Sequence, residues 1–385
     1  MTYNGHVVID ADSHIREYWD LDRTYKGNID PEYREKYARF AEAALAKQTR
    51  PGEVGIGDFL WPYLKPHPMG IYDVFDAPKQ EDRPMNRAYS GRGVPIDPSC
   101  NWDPMARLKD MDTAGIDISV MFASQSDGYC MLNDIGFESA LQRAYHRYMN
   151  GYCAEADGRL RWVGNSNMRD IDESVKQLEH WVKNDPNFAG MFISRACPDG
   201  SMLDNPALYP LFAKSQELDM PIWVHGGSNR PPLTPWPSGP NGLYHGWGGQ
   251  YAMAALIGGG VFDEFPRLRI GLFESGCGWM PWVVEKLDAG YTPGSTMTPK
   301  LKRKPSEIVA SGQLFISIEA DEDYVEHAIE HLGDHVWLFS TDYPHNGTCW
   351  PEGVPLVTKR GLSDETKAKV LGGNAERFLP LLAKK

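Results

Sequence analysis

Two carboxylates and an imidazole close the first apolar run of this chain, Val7-Val8-Ile9-Asp10-Ala11-Asp12-Ser13-His14. An apolar run of this kind reads as a buried strand, whose side chains alternate between faces, so Asp10, Asp12 and His14 are expected to share one face. Ionisable groups at the end of a buried strand are costly to desolvate. A divalent cation offsets that cost, because carboxylate oxygen and imidazole nitrogen are both metal ligands. The competing reading is an Asp-Ser turn that happens to precede a histidine. The pattern repeats further along: Arg195, His225, Glu274, Glu319 and Asp342 each stand at or just beyond the end of an apolar run.

The elements that must position these residues follow from periodicity. Strands are expected at 7–11, 116–123, 160–164, 188–193, 221–225, 268–273, 314–318 and 336–341. Helices are expected between them, at 103–113, 136–157, 171–184, 205–218, 248–264, 279–289 and 321–332, with a last one at 363–371. The first of these carries its own punctuation, with Asp103 as N-cap, Pro104 in the first turn and Gly115 at the close. Eight strands alternating with helices make an α/β chain of the (β/α)8 TIM-barrel class, in which the C-terminal strand ends share one mouth. An open doubly wound sheet is the alternative, but no G-x-G-x-x-G follows the first strand. Residues 17–104 read as a helical and loop insertion after that strand: 31–47 has helical spacing, and 51–104 is rich in Gly, Pro and aromatics. The whole of 1–385 is then one barrel domain bearing one insertion.

On a barrel mouth the four best ligands are Asp12, His14, His225 and Asp342. Two oxygens and two nitrogens suit Zn, Mn or Fe and leave positions for water or substrate, whereas Mg and Ca prefer all-oxygen shells. One ion is expected. A second would draw on Glu274, His245 and His345, with Glu274 otherwise bonded to an arginine or a ligand histidine. Asp342 could take a proton from a bound water, and Glu274 or His245 could move protons nearby. Arg195 could clamp a substrate carboxylate or serve in a structural ion pair. Trp61, Trp102, Trp236 and Trp247 could line a pocket, although packing is the default for aromatics.

Several of these stretches resemble the amidohydrolase-related family, the branch of the amidohydrolase superfamily that contains aminocarboxymuconate semialdehyde decarboxylase and the resorcylate-type decarboxylases. They are Asp10-Ala11-Asp12-Ser13-His14, Pro221-Ile222-Trp223-Val224-His225-Gly226-Gly227, residues 260–268, Ser340-Thr341-Asp342-Tyr343-Pro344-His345 and Leu371-Gly372-Gly373-Asn374-Ala375. The resemblance spans nearly everything outside 20–100. It implies a metal-bearing (β/α)8 barrel with Asp12, His14, His225 and Asp342 as ligands. Two departures stand out. Asp12-Ser13-His14 replaces the family's frequent His-x-His or Glu-x-His, and Phe273-Glu274-Ser275-Gly276 replaces the histidine that the resembled decarboxylases carry after the sixth strand. The second departure argues against simple decarboxylation. Some superfamily members hold two metals, and a few relatives use iron or manganese with dioxygen.

The chain of 385 residues has a formal net charge of -13, which disfavours nucleic-acid and anionic-membrane partners. No basic leader or run of about 18 apolar residues is seen, and six cysteines without C-x-x-C spacing suit a reducing, cytoplasmic setting. Gly258-Gly259-Gly260 lacks the Lys and Ser/Thr of a phosphate loop, Gly-x-Ser-x-Gly is absent, and the histidines from 327 to 335 read as a solvated helix face. The expected function is a metal-dependent hydrolase or lyase that cleaves a C-C or C-N bond, decarboxylation included, in a small organic acid or amide. A binuclear Fe or Mn oxygenase on the same scaffold is the alternative, and a non-catalytic, metal-stabilised subunit of a complex is the third. Aromatics in 51–104 favour a homo-oligomer; a hetero-complex with a related chain is the other arrangement considered.

Overall fold

The computed structural model describes residues 3–17, 20–46, 96–124, 129–130, 132, 134–226, 241–296, 300–345 and 349–383. Eight parallel strands follow one another in chain order: β1 Ile9–Ile15, β2 Ile118–Ala123, β3 Leu160–Asn165, β4 Phe188–Ile193, β5 Ile222–Val224, β6 Ile270–Leu272, β7 Leu314–Glu319 and β8 Trp337–Ser340. Each pairs with the next. The ring closes where β1 meets the segment after β8: Ser13 and Tyr343 form a parallel bridge, His14 N donates to Tyr343 O at 2.6 Å, and Asp342 N donates to Asp12 O at 2.9 Å. An open doubly wound sheet would leave β1 and β8 as edges. The closure makes this a (β/α)8 barrel.

The longer helices lie between the strands: α1 Arg34–Ala46, α2 Pro104–Ala114, α3 Ile135–Ala154, α4 Ile171–Asn184, α5 Tyr209–Glu217, α6 Asn241–Gly258, α7 Met280–Gly290 and α8 Val325–Leu332. The punctuation of α2 is as its sequence predicts, with Asp103 accepting from Met105 N and Gly115 in the left-handed conformation at φ 74°. Strand side chains fill the barrel, where Trp223 stacks on Phe273 and meets Phe122 and Phe378 edge-on, while the fully buried Trp162 faces the helix layer, its ring against His146 of α3 and Trp181 of α4. Within the expected insertion, α1 is helical, while residues 47–95, Trp61 among them, lie outside the described residues, as does Trp236.

One helix departs from its expected bounds in a way that matters. The segment expected at 248–264 begins at Asn241, ends at Gly258 and is followed by a single turn, Val261–Glu264. Three glycines in Gly246-Trp247-Gly248-Gly249 weaken the local helical signal, but tertiary packing needs them. A Cβ on Gly248 would lie 2.5 Å from Arg195 Cδ, and one on Gly249 would lie 2.6 Å from Ser275 Cβ. The bare backbone brings α6 against the ends of β4 and β6. His245 and Trp247 therefore ride on a helix rather than on a loop.

A second departure lies in β1. Its register against β2 shifts between Asp10 and Ser13, a bulge that breaks the expected alternation. Asp10 faces the end of β8, accepting from Thr341 N at 3.0 Å and from Thr341 Oγ1 at 2.6 Å. Burial pushes its carboxyl up to about 7, with the Thr341 bonds opposing and the Asp12 charge adding. Asp10 ties β1 to the segment that carries Asp342.

Away from the mouth, His146 on α3 is fully buried and satisfied as a neutral ring. Its Nε2 accepts from Asn165 N at 2.9 Å, so Nδ1 carries the proton toward Gln177 Oε1 at 3.2 Å. Burial holds its pKa down at about 3, below the 6.5 of an exposed imidazole. The unfolded chain thus takes up this proton first, and stability is lost as pH falls from about 6.5 toward 3. The expected slope from this group is about 1.4 kcal/mol per pH unit. Urea unfolding at pH 7 and pH 4.5 is expected to show a smaller acid loss in His146→Gln, whose amide still accepts from Asn165; parallel losses in the two proteins would remove His146 as the cause.

Candidate metal centre

The mouth of the barrel collects six ionisable side chains from the strand ends. Asp12 and His14 leave β1, His225 follows β5, Glu274 follows β6, and Asp342 and His345 follow β8. Asp12 Oδ1 lies 3.3 Å from His14 Nε2 and 3.1 Å from His225 Nε2, and Asp342 Oδ1 lies 3.2 Å from His14 Nε2. Two donors each ~2.1 Å from one ion at a tetrahedral angle stand about 3.4 Å apart. These separations are those of neighbouring ligands.

Hydrogen-bond accounting reaches the same result. Both nitrogens of His14 and Oδ1 of Asp342 are buried and have no hydrogen-bond partner among the described residues, despite oxygen or nitrogen atoms close by. Buried polar atoms are rarely left so, and convergent lone pairs around a cation are a direct reason for it. The donors fall into two groups that share His14: Asp12, His14 and His225 form one, and His14, Asp342 and His345 form the other. Burial alone would raise the carboxyls of Asp12 and Asp342, but the imidazoles beside them, His225 and His14 for the first and His345 and His14 for the second, hold both below the usual carboxylate range.

Glu274 and His245 form a pair at the edge of this cluster. His245 Nδ1 lies 2.8 Å from Glu274 Oε2, whose carboxylate also stands 4.0 Å from His225 Nδ1. Burial would raise Glu274, and His245 outweighs it and holds the carboxyl low. Glu274 and Asp342 both adopt left-handed backbone, with φ 50° and 57°. Such conformations cost of order 1–3 kcal/mol for side chains other than glycine, and they concentrate where geometry is dictated by a site.

The supports of the mouth are arginines. Arg195 Nη2 donates to the carbonyls of Phe273 and Glu274, both at 2.7 Å, and so fixes the turn that carries Glu274. Arg107, fully buried, donates to His14 O and lies with its guanidinium 4.7 Å from the Tyr343 ring. Arg16 donates to Pro344 O at 2.6 Å. Phe122 floors the cluster, its ring 4.7 Å from that of His225 and 5.8 Å from that of His14.

Asp12, His14, His225, Asp342, Glu274, His245 and His345 are thus brought together from five separate stretches of sequence. Arg195 stands beside them, as a tether of Glu274. Trp247 lies two residues beyond His245 on α6. Glu319 is exposed at the end of β7, and Trp102 lies near the Arg23 guanidinium. Histidines 327 and 331 are exposed on α8, as their polar helix predicts. Sequence reasoning missed Ser124 and Arg107. Ser124 Oγ lies 2.9 Å from His345 Nε2, and the one available signal was its place immediately after β2. Arg107 sits in the middle of a helix and carries no signal of its own.

The sequence profile of a family described as Amidohydrolase matches residues 11–381. The 2-amino-3-carboxymuconate-6-semialdehyde decarboxylase of Dictyostelium discoideum is 26% identical over 299 residues, which is 74% of this chain and 79% of that protein. A gamma-resorcylate decarboxylase of Rhizobium sp. (strain MTP-10005) is 25% identical over 71% of this chain and 86% of its own length. Among solved structures, a 5-carboxyvanillate decarboxylase of Novosphingobium aromaticivorans, complexed with manganese and 4-hydroxy-3-methoxy-5-nitrobenzoic acid, superposes with a TM-score of 0.66 at 19% identity, covering 97% of this chain and 96% of that one. At that identity the superposition speaks for the fold.

Proposed function

Since this chain belongs to the amidohydrolase family, we propose that it is a metal-dependent carbon–carbon lyase that removes the carboxyl group of a small unsaturated or aromatic acid. The observation that carries this reading is the His245–Glu274 pair beside the convergent ligands. A carboxylate after β6 argues against decarboxylation only if no imidazole takes the place of the missing histidine. Here α6 brings one to within 2.8 Å of that carboxylate.

Asp12, His14, His225 and Asp342 would hold the ion, and their mixed oxygen and nitrogen donors fit Mn, Fe or Zn. A bound divalent cation supplies positive charge that orients an anionic substrate and stabilises negative charge as it develops. The chain's own residues do the rest. Loss of carbon dioxide leaves the electron pair of the broken C-C bond on carbon, and that carbon must gain a proton. His245 delivers it. Glu274, its Oε2 2.8 Å from His245 Nδ1 and its backbone carbonyl held by Arg195, keeps the ring at the mouth for that step. Phe122 and the aromatic floor beneath it keep water from the barrel interior.

The test is a panel of aromatic and unsaturated acids, 2,6-dihydroxybenzoate among them, assayed for released carbon dioxide with the product made in deuterium oxide. Carbon dioxide release with one deuterium at the vacated carbon supports the reading. Turnover of amides, with no carbon dioxide from any acid, would contradict it. A second reading, dioxygen chemistry on a binuclear Fe or Mn centre, is favoured by the division of the donors into two groups. Its signature is oxygen uptake.

A further inference from the structure

The second donor group contains a residue whose ring is gripped from both sides. His345 stacks on His14, with ring centroids 4.0 Å apart and planes 22° from parallel. Its Nδ1 lies 2.9 Å from Asp342 Oδ1, and its Nε2 lies 2.9 Å from Ser124 Oγ. That hydroxyl has another neighbour, the carbonyl of Ile15 at 3.0 Å, which can only accept. The backbone N–H of Ser124 donates to Glu17 Oε2 at 2.8 Å and so anchors the serine on the far side.

A hydroxyl has one proton and two acceptor lone pairs. If it donates to Ile15 O, it accepts from His345 Nε2–H, and a neutral ring then presents a bare Nδ1 to Asp342. Two acceptors facing each other at 2.9 Å repel unless a cation lies between them. That separation is the one expected of adjacent ligands, each ~2.1 Å from one ion at about a right angle. Asp342 Oδ1 has no hydrogen-bond partner although Nδ1 is so near, so the contact lacks the geometry of an N–H donating to the carboxylate. His14 Nε2 can bind only one ion. If it joins Asp12 and His225, His345 is left to hold another, and Asp342, whose Oδ1 lies 3.2 Å from His14 Nε2 and 2.9 Å from His345 Nδ1, is shared between the two positions.

We propose that Ser124 is a positioning residue that keeps the proton of His345 on Nε2, and thereby makes Nδ1 a ligand that completes, with Asp342, a second cation position beside the one that Asp12, His14 and His225 hold with the same carboxylate. This rests on the mouth being a metal centre, and it assigns the serine a task that neither decarboxylation nor the first ion requires. The ligand class is a divalent transition ion that accepts mixed nitrogen and oxygen donors. The role is the one that partners of ligand histidines play elsewhere, where their loss typically lowers metal affinity about 10–100-fold.

The experiment is a titration of chelator-stripped protein with Mn2+ alone, reading ions bound per chain and both affinities. The intact protein is expected to bind two. Ser124→Ala is expected to keep the first ion at unchanged affinity, which also shows that it is folded, and to bind the second about 10–100-fold more weakly. Ser124→Thr, which restores the hydroxyl, is expected to recover it. One ion in the intact protein, or a second ion indifferent to Ser124→Ala, would overturn the inference while leaving the first metal position and the lyase reading intact. Labelling of Ser124 by an organophosphorus fluoride in the Mn2+-loaded protein would also overturn it, because that reaction needs Nε2 as a base. No bound Mn2+ at all would overturn the metal reading itself, and this inference with it.

Discussion

Asp342→Asn is expected to lower kcat roughly 10³-fold or more and to leave the protein folded, because the loss of a metal-directed charge costs several kcal/mol of transition-state stabilisation. The choice of asparagine matters. Asp342 sits at φ 57°, and asparagine is among the few residues that accept left-handed backbone readily, so the turn after β8 survives. The amide fills the same volume beside His14 Nε2 and His345 Nδ1 while removing the negative charge that both nitrogens face. Metal content is expected to fall together with activity. An Asp342→Asn protein with full metal content and near-normal kcat would remove this residue from the chemistry.

The second large effect is expected at the His245–Glu274 pair. His245→Gln should cost about 10²–10⁴-fold in kcat, the span that a positioned acid contributes, with the ion of Asp12, His14 and His225 retained. Glu274→Gln should cost a similar amount, because the carboxylate acts through the imidazole 2.8 Å away. The double variant is expected to be no worse than the poorer single one, as for residues that act as a unit. Losses that multiply would show that the two act separately. Retained deuterium incorporation at the normal rate in His245→Gln would name another donor.

Much of this was legible because a barrel gathers strand ends whatever lies between them. Once eight apolar runs are placed, Asp12, His14, His225, Glu274 and Asp342 must meet, since each ends a run and all strands point one way. The helix bearing His245 was harder to read. Gly246, Gly248 and Gly249 mark a close approach to Arg195 and Ser275 that only the folded chain reveals, and by propensity alone they argue for a loop. Asp10 was misplaced for a similar reason: a bulge changes which face a residue occupies, and nothing local in Asp10-Ala11-Asp12 announces it. Ser124 and Arg107 act through backbone carbonyls and ring nitrogens of distant segments, so their roles exist only in three dimensions.

The central claim is that the orphaned lone pairs at the mouth belong to a divalent metal. Elemental analysis of protein purified without added metal tests it most directly. At least one Mn, Fe or Zn per chain is expected, falling well below one when Asp12 and His14 are both replaced by alanine. Folded protein that carries no transition metal, and takes up none from Mn2+ or Zn2+ in excess, would contradict it.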